Sequence, residues 1–195
     1  QIKDFRKGLT TLVLLFLGSL LCSAQYGVKQ GDVFKGDAVY VNTTGTKEQS
    51  KQGYLTYTVI NPTSSKSNAG EVSVKATKDS TISGVLNIPS VIWNYKSYQY
   101  YPYVVTTVSE GGFKDQTGIT DVYFKQDKKN FLSGGYKITT IKKDAFAGTT
   151  GLTGVLQLPR TITSIGDNAF GVSTPSTISQ VVIGANGKTD EPKGL

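Results

Sequence analysis

The chain of 195 residues is 37% hydrophobic and carries a formal charge of +7 at pH 7, enough for one domain or two small ones around a modest core. It has no histidine, no methionine and a single cysteine, Cys22, so serine–histidine and cysteine–histidine catalysis, zinc clusters and disulfide frameworks all lack their raw material.

Lys3, Arg6 and Lys7 form a basic start, followed by an uncharged run over 8–24 centred on Leu12, Val13, Leu14, Leu15, Phe16 and Leu17. This is the pattern of a secretory signal peptide over 1–24. The run is too short for a spanning helix, and Gly18-Ser19 breaks it. Cys22 and Ala24 suit cleavage before Gln25. A rival reading makes Cys22 a lipidated cysteine and so a membrane anchor, but Leu21 is large where such sites carry a small residue. Removing the segment leaves a formal +5 and places the chain outside the cell or on its surface.

Residues 25–81 read as a β-rich region. Tyr54 to Val59 and Glu71 to Ala76 alternate as strands do, and the Pro, Gly, Ser and Asn residues of 61–70 favour a turn, which together make a β-hairpin. Residues 43–53 lack large apolar side chains and read as a loop.

From Ile82 onward the chain repeats itself. Val105-Thr106-Thr107-Val108 precedes Gly112-Phe113, Ile138-Thr139-Thr140-Ile141 precedes Ala145-Phe146, and Ile162-Thr163-Ser164-Ile165 precedes Ala169-Phe170. In each, the phenylalanine lies five residues after the second aliphatic, and a short apolar strand follows with Val122 and Phe124, Leu156 and Leu158, or Val181 and Ile183. Residues 82–89 match 152–159 position for position, each ending in proline, Pro89 and Pro159. Single units of this size bury too little apolar surface alone, so stacking into a solenoid follows, with the phenylalanines in one column. Small Gly112, Ala145 and Ala169 let units approach, and the longer second spacing is an outward loop near Lys128.

The repeat resembles the BspA-like leucine-rich repeat family of bacterial surface proteins. Residues 162–170, Ile-Thr-Ser-Ile-Gly-Asp-Asn-Ala-Phe, are a close match. Residues 138–146 match with Lys142 in place of the glycine, and 105–113 match with Gly112 in place of the alanine. The resemblance implies a mainly β fold, with a short leucine-rich-repeat solenoid over 82–195 behind a small β-rich N-terminal cap region. It further implies a secreted or cell-surface, non-enzymatic module for adhesion and protein binding, with an extracellular, host or matrix protein as partner and no cofactor. The polar tail after Ile183 leads to the expectation that the array continues beyond this sequence.

Trp93, Tyr95, Tyr98, Tyr100, Tyr101 and Tyr103 crowd eleven residues. They read either as a cross-strand ladder or as a face for protein or glycan, with Tyr98 and Tyr100 on one side and Tyr101 and Tyr103 on the other; Pro102 suggests an edge. The lysines at 125, 128, 129, 137, 142 and 143 are interrupted by Asp127 and Asp144, so they read as a solvated loop and coil edge, and nucleic acid is not expected. Nothing in the spacing pairs carboxylates for acid–base work or metal binding. A structural spacer displaying a further domain is the remaining alternative.

Overall fold

A computed structural model describes residues 28–36, 40–41, 47–48, 54–63, 67–96, 99–126, 135, 137–171 and 178–185. The expected signal peptide with Cys22, residues 43–46 and 49–53 of the expected loop, the loop near Lys128 and the tail after 185 lie outside them, whereas Lys47–Glu48 within that expected loop form a short strand paired with Tyr40–Val41. The described part is mainly β, with thirteen strands and no helix; no helix among these residues is long and apolar enough to cross a membrane.

The N-terminal strands are β1 (Val33–Gly36), β2 (Tyr40–Val41), β3 (Lys47–Glu48), β4 (Leu55–Asn61) and β5 (Gly70–Ala76). Next come β6 (Gly84–Ile88), β7 (Val91–Lys96), β8 (Gln99–Val108) and β9 (Ile119–Phe124). The last four are β10 (Thr140–Ile141), β11 (Gly154–Pro159), β12 (Ser164–Ile165) and β13 (Ile178–Ala185). The hairpin expected around 61–70 is present, with β4 and β5 antiparallel and Tyr57 opposite Val74. One sheet runs β1-β4-β5-β8-β10-β12, with β7 added beside β8.

Pairing changes character along that sheet. β1, β4 and β5 are antiparallel, whereas β5, β8, β10 and β12 are parallel. Parallel neighbours need a crossover, and here each crossover carries a second strand. β6 follows β5, β9 follows β8, β11 follows β10 and β13 follows β12, with β6 pairing β9 and β11 pairing β13, both in parallel. The chain therefore passes four times from the large sheet to a second row of strands, whose two pairs β6–β9 and β11–β13 are separate sheets. β5 is the first member of the first row, so the sheet runs through position 81/82 without interruption.

The turns between the two rows are hydrogen-bonded to one another. Gly111, Phe113 and Asp115 donate to the carbonyls of Lys143, Ala145 and Ala147. One unit later, Asp144, Phe146 and Gly148 donate to Asp167, Ala169 and Gly171, at 2.7–3.0 Å. Gly111, Asp144 and Asn168 hold the same place in each turn with φ of 56°, 55° and 56°, a left-handed conformation that Gly, Asp and Asn adopt most readily. The rings follow the backbone. Phe113, Phe146 and Phe170 stack in a column with centroids 5.2 Å apart and interplanar angles of 13° and 4°.

The first pass lacks such a phenylalanine, and a side chain takes over the stitching. Gln116 accepts from the Ile82 amide at 2.8 Å and donates to the Ser80 carbonyl at 2.9 Å. At the equivalent place one unit on, the buried Thr149 hydroxyl donates to the Phe113 carbonyl. A threonine ladder on the first row runs the same way, from Thr163 to Thr139 to Thr106.

Inward aliphatics fill the space between the rows. Val108, Ile141, Ile119, Leu152, Leu86, Leu156, Ile88 and Leu158 are all buried. Pro89 follows β6 directly and Pro159 ends β11, where no ladder amide is needed. Val181 and Ile183 behave differently. They stand in register with Leu156 and Leu158, yet they are 44% and 55% exposed, because no described strand lies on the outer side of β13.

Candidate functional site

The aromatic cluster forms on the β7–β8 hairpin. Its register sets Val91 opposite Val104, Ile92 opposite Tyr103, Trp93 opposite Pro102, Asn94 opposite Tyr101 and Tyr95 opposite Tyr100. Side chains alternate along a strand, so positions 91, 93, 95, 100, 102 and 104 share one face, and 92, 94, 101 and 103 share the other. Tyr101 and Tyr103 thus fall on one side and position 100 on the opposite side. Tyr98 and the side chains of Tyr95 and Tyr100 lie outside the described residues.

The second face is the inner one. Ile92 and Tyr103 are buried, and Tyr101 packs half-buried against the core. This overturns Tyr103 as a ligand-contacting residue: its ring is fully covered by the N-terminal strands. Phe34 on β1 lies 5.8 Å from it, centroid to centroid, and also stacks on Tyr57 at 5.7 Å. Gly70 at the start of β5 has no room for a Cβ, which would strike the Tyr103 ring and come within 2.5 Å of the Asn61 carbonyl.

Pro102 marks a local edge of β8, a strand that β5, β7 and β10 flank elsewhere. It falls in the segment of β8 that precedes the partner of Gly70, where only β7 runs alongside. A missing amide is harmless at such a place.

Burial pushes the Tyr103 phenol above its ordinary value of 10.0. The unfolded chain therefore loses this proton first as pH rises, so the group's contribution to stability is complete below pH 10 and falls away above it. Tyr103→Phe is expected to lose stability less steeply than the native chain as pH rises above 10, read as the change in urea midpoint with pH.

What remains on the outer face is Trp93, 45% exposed, with half-buried Val91 and Val104 on the same side. A large ring with an indole N–H on a rigid hairpin is suited to stacking on a sugar face or anchoring a protein contact.

Of the basic residues, Lys142 and Lys143 are exposed, whereas Lys128 and Lys129 lie outside the described residues. In equivalent places of successive turns stand Glu110, Lys143 and Asp167, all exposed, so charge alternates in sign at that position. Among the described residues no three His, Cys, Asp or Glu side chains converge as metal ligands. Two of the acids have local partners: Asn168 donates to the Asp144 carboxylate at 2.5 Å, and on β9 the Val122 amide donates to the Asp121 carboxylate.

The sequence matches no family model and no curated protein. Among solved structures, the chain is similar to the crystal structure of the pneumococcal vaccine antigen PcpA, at 16% identity and a TM-score of 0.45, with 84% of this chain aligned. The chain spans 40% of that chain's length.

Proposed function

We propose that the four strand passes form a short leucine-rich-repeat solenoid of the BspA-like kind, and that it serves as a non-enzymatic, secreted or cell-surface module for binding extracellular proteins. The observation that carries this reading is the repeated turn: a left-handed residue at the same place, the same paired amides and the same phenylalanine recur in register. Such an array is a rigid support whose outward positions are free to vary without disturbing the core. The basic and apolar N-terminal segment of the sequence supports export.

Pull-down from extracellular-matrix extracts with the immobilised, folded chain tests it. A saturable protein captured at physiological salt is the expected result, and recovery of no specific protein contradicts the reading.

The exposure of Trp93 favours a second reading, in which the outer hairpin face holds a glycan. Trp93→Ala is then expected to abolish retention on a glycan array while leaving the unfolding midpoint within about 0.5 kcal/mol of the native chain, as for other exposed positions. Unchanged retention by the variant, or no glycan retained by the native chain, removes this alternative.

A further inference from the structure

We infer that the stack carries a hinge in its middle: a seam between the second and third passes that opens on the second-row side, about the turn at Phe113 and Phe146. The inference goes beyond the binding reading and does not depend on it, because it concerns the chain alone.

Counting β5 and β6 as the first pass, β8 and β9 make the second, β10 and β11 the third, and β12 and β13 the fourth. In the second row, a ladder joins β6 to β9 from Gly84 to Ile88, and another joins β11 to β13 from Gly154 to Pro159. No ladder among the described residues joins β9 to β11. The row therefore falls into two bonded pairs with one unbonded seam between them. Two passes lie on either side of that seam, so it is a feature of the interior of the array and not of its ends.

The opposite side of the same seam is stitched. In the first row β8 pairs with β10 at Thr107 and Val108, opposite Thr140 and Ile141, and the Thr139 amide donates to the Thr106 carbonyl. In the turn the Phe113 and Asp115 amides donate to the carbonyls of Ala145 and Ala147, and the Phe113 and Phe146 rings stack. Gly151, at the entrance to the second row, lies against the Thr117 and Ile119 carbonyls. Beyond it the two strands share only apolar packing as their common feature: Val122 and Phe124 on β9, and Leu156 and Leu158 on β11, are all buried in one core.

Apolar packing is non-directional, so it tolerates a small tilt, whereas hydrogen bonds weaken steeply when bent. The rings record such a tilt. Phe113 and Phe146, on either side of the seam, are inclined at 13°, against 4° for Phe146 and Phe170 within the second half. The sequence supplies the cause. Fifteen residues lead from β9 to β10, whereas four lead from β11 to β12. A short link holds the next pass in step and a long one does not. A seam bonded on one side and packed on the other is a hinge, on which each two-pass half keeps its own ladder and turns as a unit. The support is thus rigid within each half and adjustable in the angle between them.

Native-state thiol labelling tests the hinge in a Cys22→Ser background. Cysteine replaces either Leu156, on the seam strand β11, or Leu86, its counterpart on the laddered β6, both of them buried. Leu156→Cys is expected to react at least about tenfold faster than Leu86→Cys, as a site reached by a sub-global opening does. Its rate is also expected to depend less on urea, because tilting exposes less surface than unfolding. Hydrogen exchange on the native chain is the second measurement and needs no variant. Alternate amides of β9 and β11 are expected to exchange with weak urea dependence, while the Phe113 and Phe146 amides at the turn exchange only by global unfolding.

Equal labelling rates with equal urea dependence for the two thiols overturn the inference. So does exchange of every β9 and β11 amide by global unfolding alone, which also decides the matter if the cysteine variants do not fold. Both readouts use the chain without a partner, so the hinge stands if no protein is captured, and the binding reading stands if the hinge fails.

Discussion

Replacing Phe146 with alanine is expected to cost about 3–5 kcal/mol of folding stability, the largest effect of any single side chain in the stack. The ring is buried and has a stacked neighbour on each side, Phe113 and Phe170, both at 5.2 Å. Truncation leaves a cavity that two rigid turns cannot close, because their backbones are held at a fixed separation by the amide ladder. Phe170→Ala removes a half-buried ring with one stacked neighbour and is expected to cost clearly less. Urea unfolding of the two variants measures the difference, and equal losses would show that the column is not a shared core.

Gly151→Ala is expected to be nearly as damaging, at about 3 kcal/mol, although it adds a single methyl group. Its Cβ would meet the Thr117 carbonyl and lie 2.6 Å from that of Ile119, both backbone atoms of the preceding unit. Neither can move without breaking the contact between units. Gly154→Ala makes the same chemical change three residues away for a different reason. There φ is +71° and the space is open, so only the left-handed backbone is penalised, by about 1–2 kcal/mol. The order of the two losses in urea unfolding separates close approach from conformational strain.

These positions also show what was legible in the sequence. Phe113, Phe146 and Phe170 recur at a fixed distance after an aliphatic pair, and a fixed spacing survives folding because each unit repeats the same backbone path. The match between 82–89 and 152–159 likewise becomes β6 and β11, with Gly84 and Gly154 both left-handed at +80° and +71°. The place of β5 as the first member of the parallel row was not legible. Its turn has no alanine–phenylalanine pair, and Gln116, a side chain 36 residues beyond Ser80, completes it instead.

The candidate site was legible in position and only partly in role. Alternation separates Tyr103 from position 100, but alternation alone does not say which face is covered. That is decided by Phe34 and Gly70, distant in sequence, whose strands close over the Tyr103 ring. Trp93 escapes because it stands one residue out of phase, on the outer face.

The proposed reading, a repeat-built support that binds protein and performs no chemistry, is tested most directly by equilibrium binding of the folded chain to arrayed extracellular-matrix proteins and glycans at physiological salt, with each partner's mass determined before and after contact. Saturable binding to a protein whose mass is unchanged is the predicted result. No binding by folded chain, or a partner cleaved or modified on contact, would contradict it.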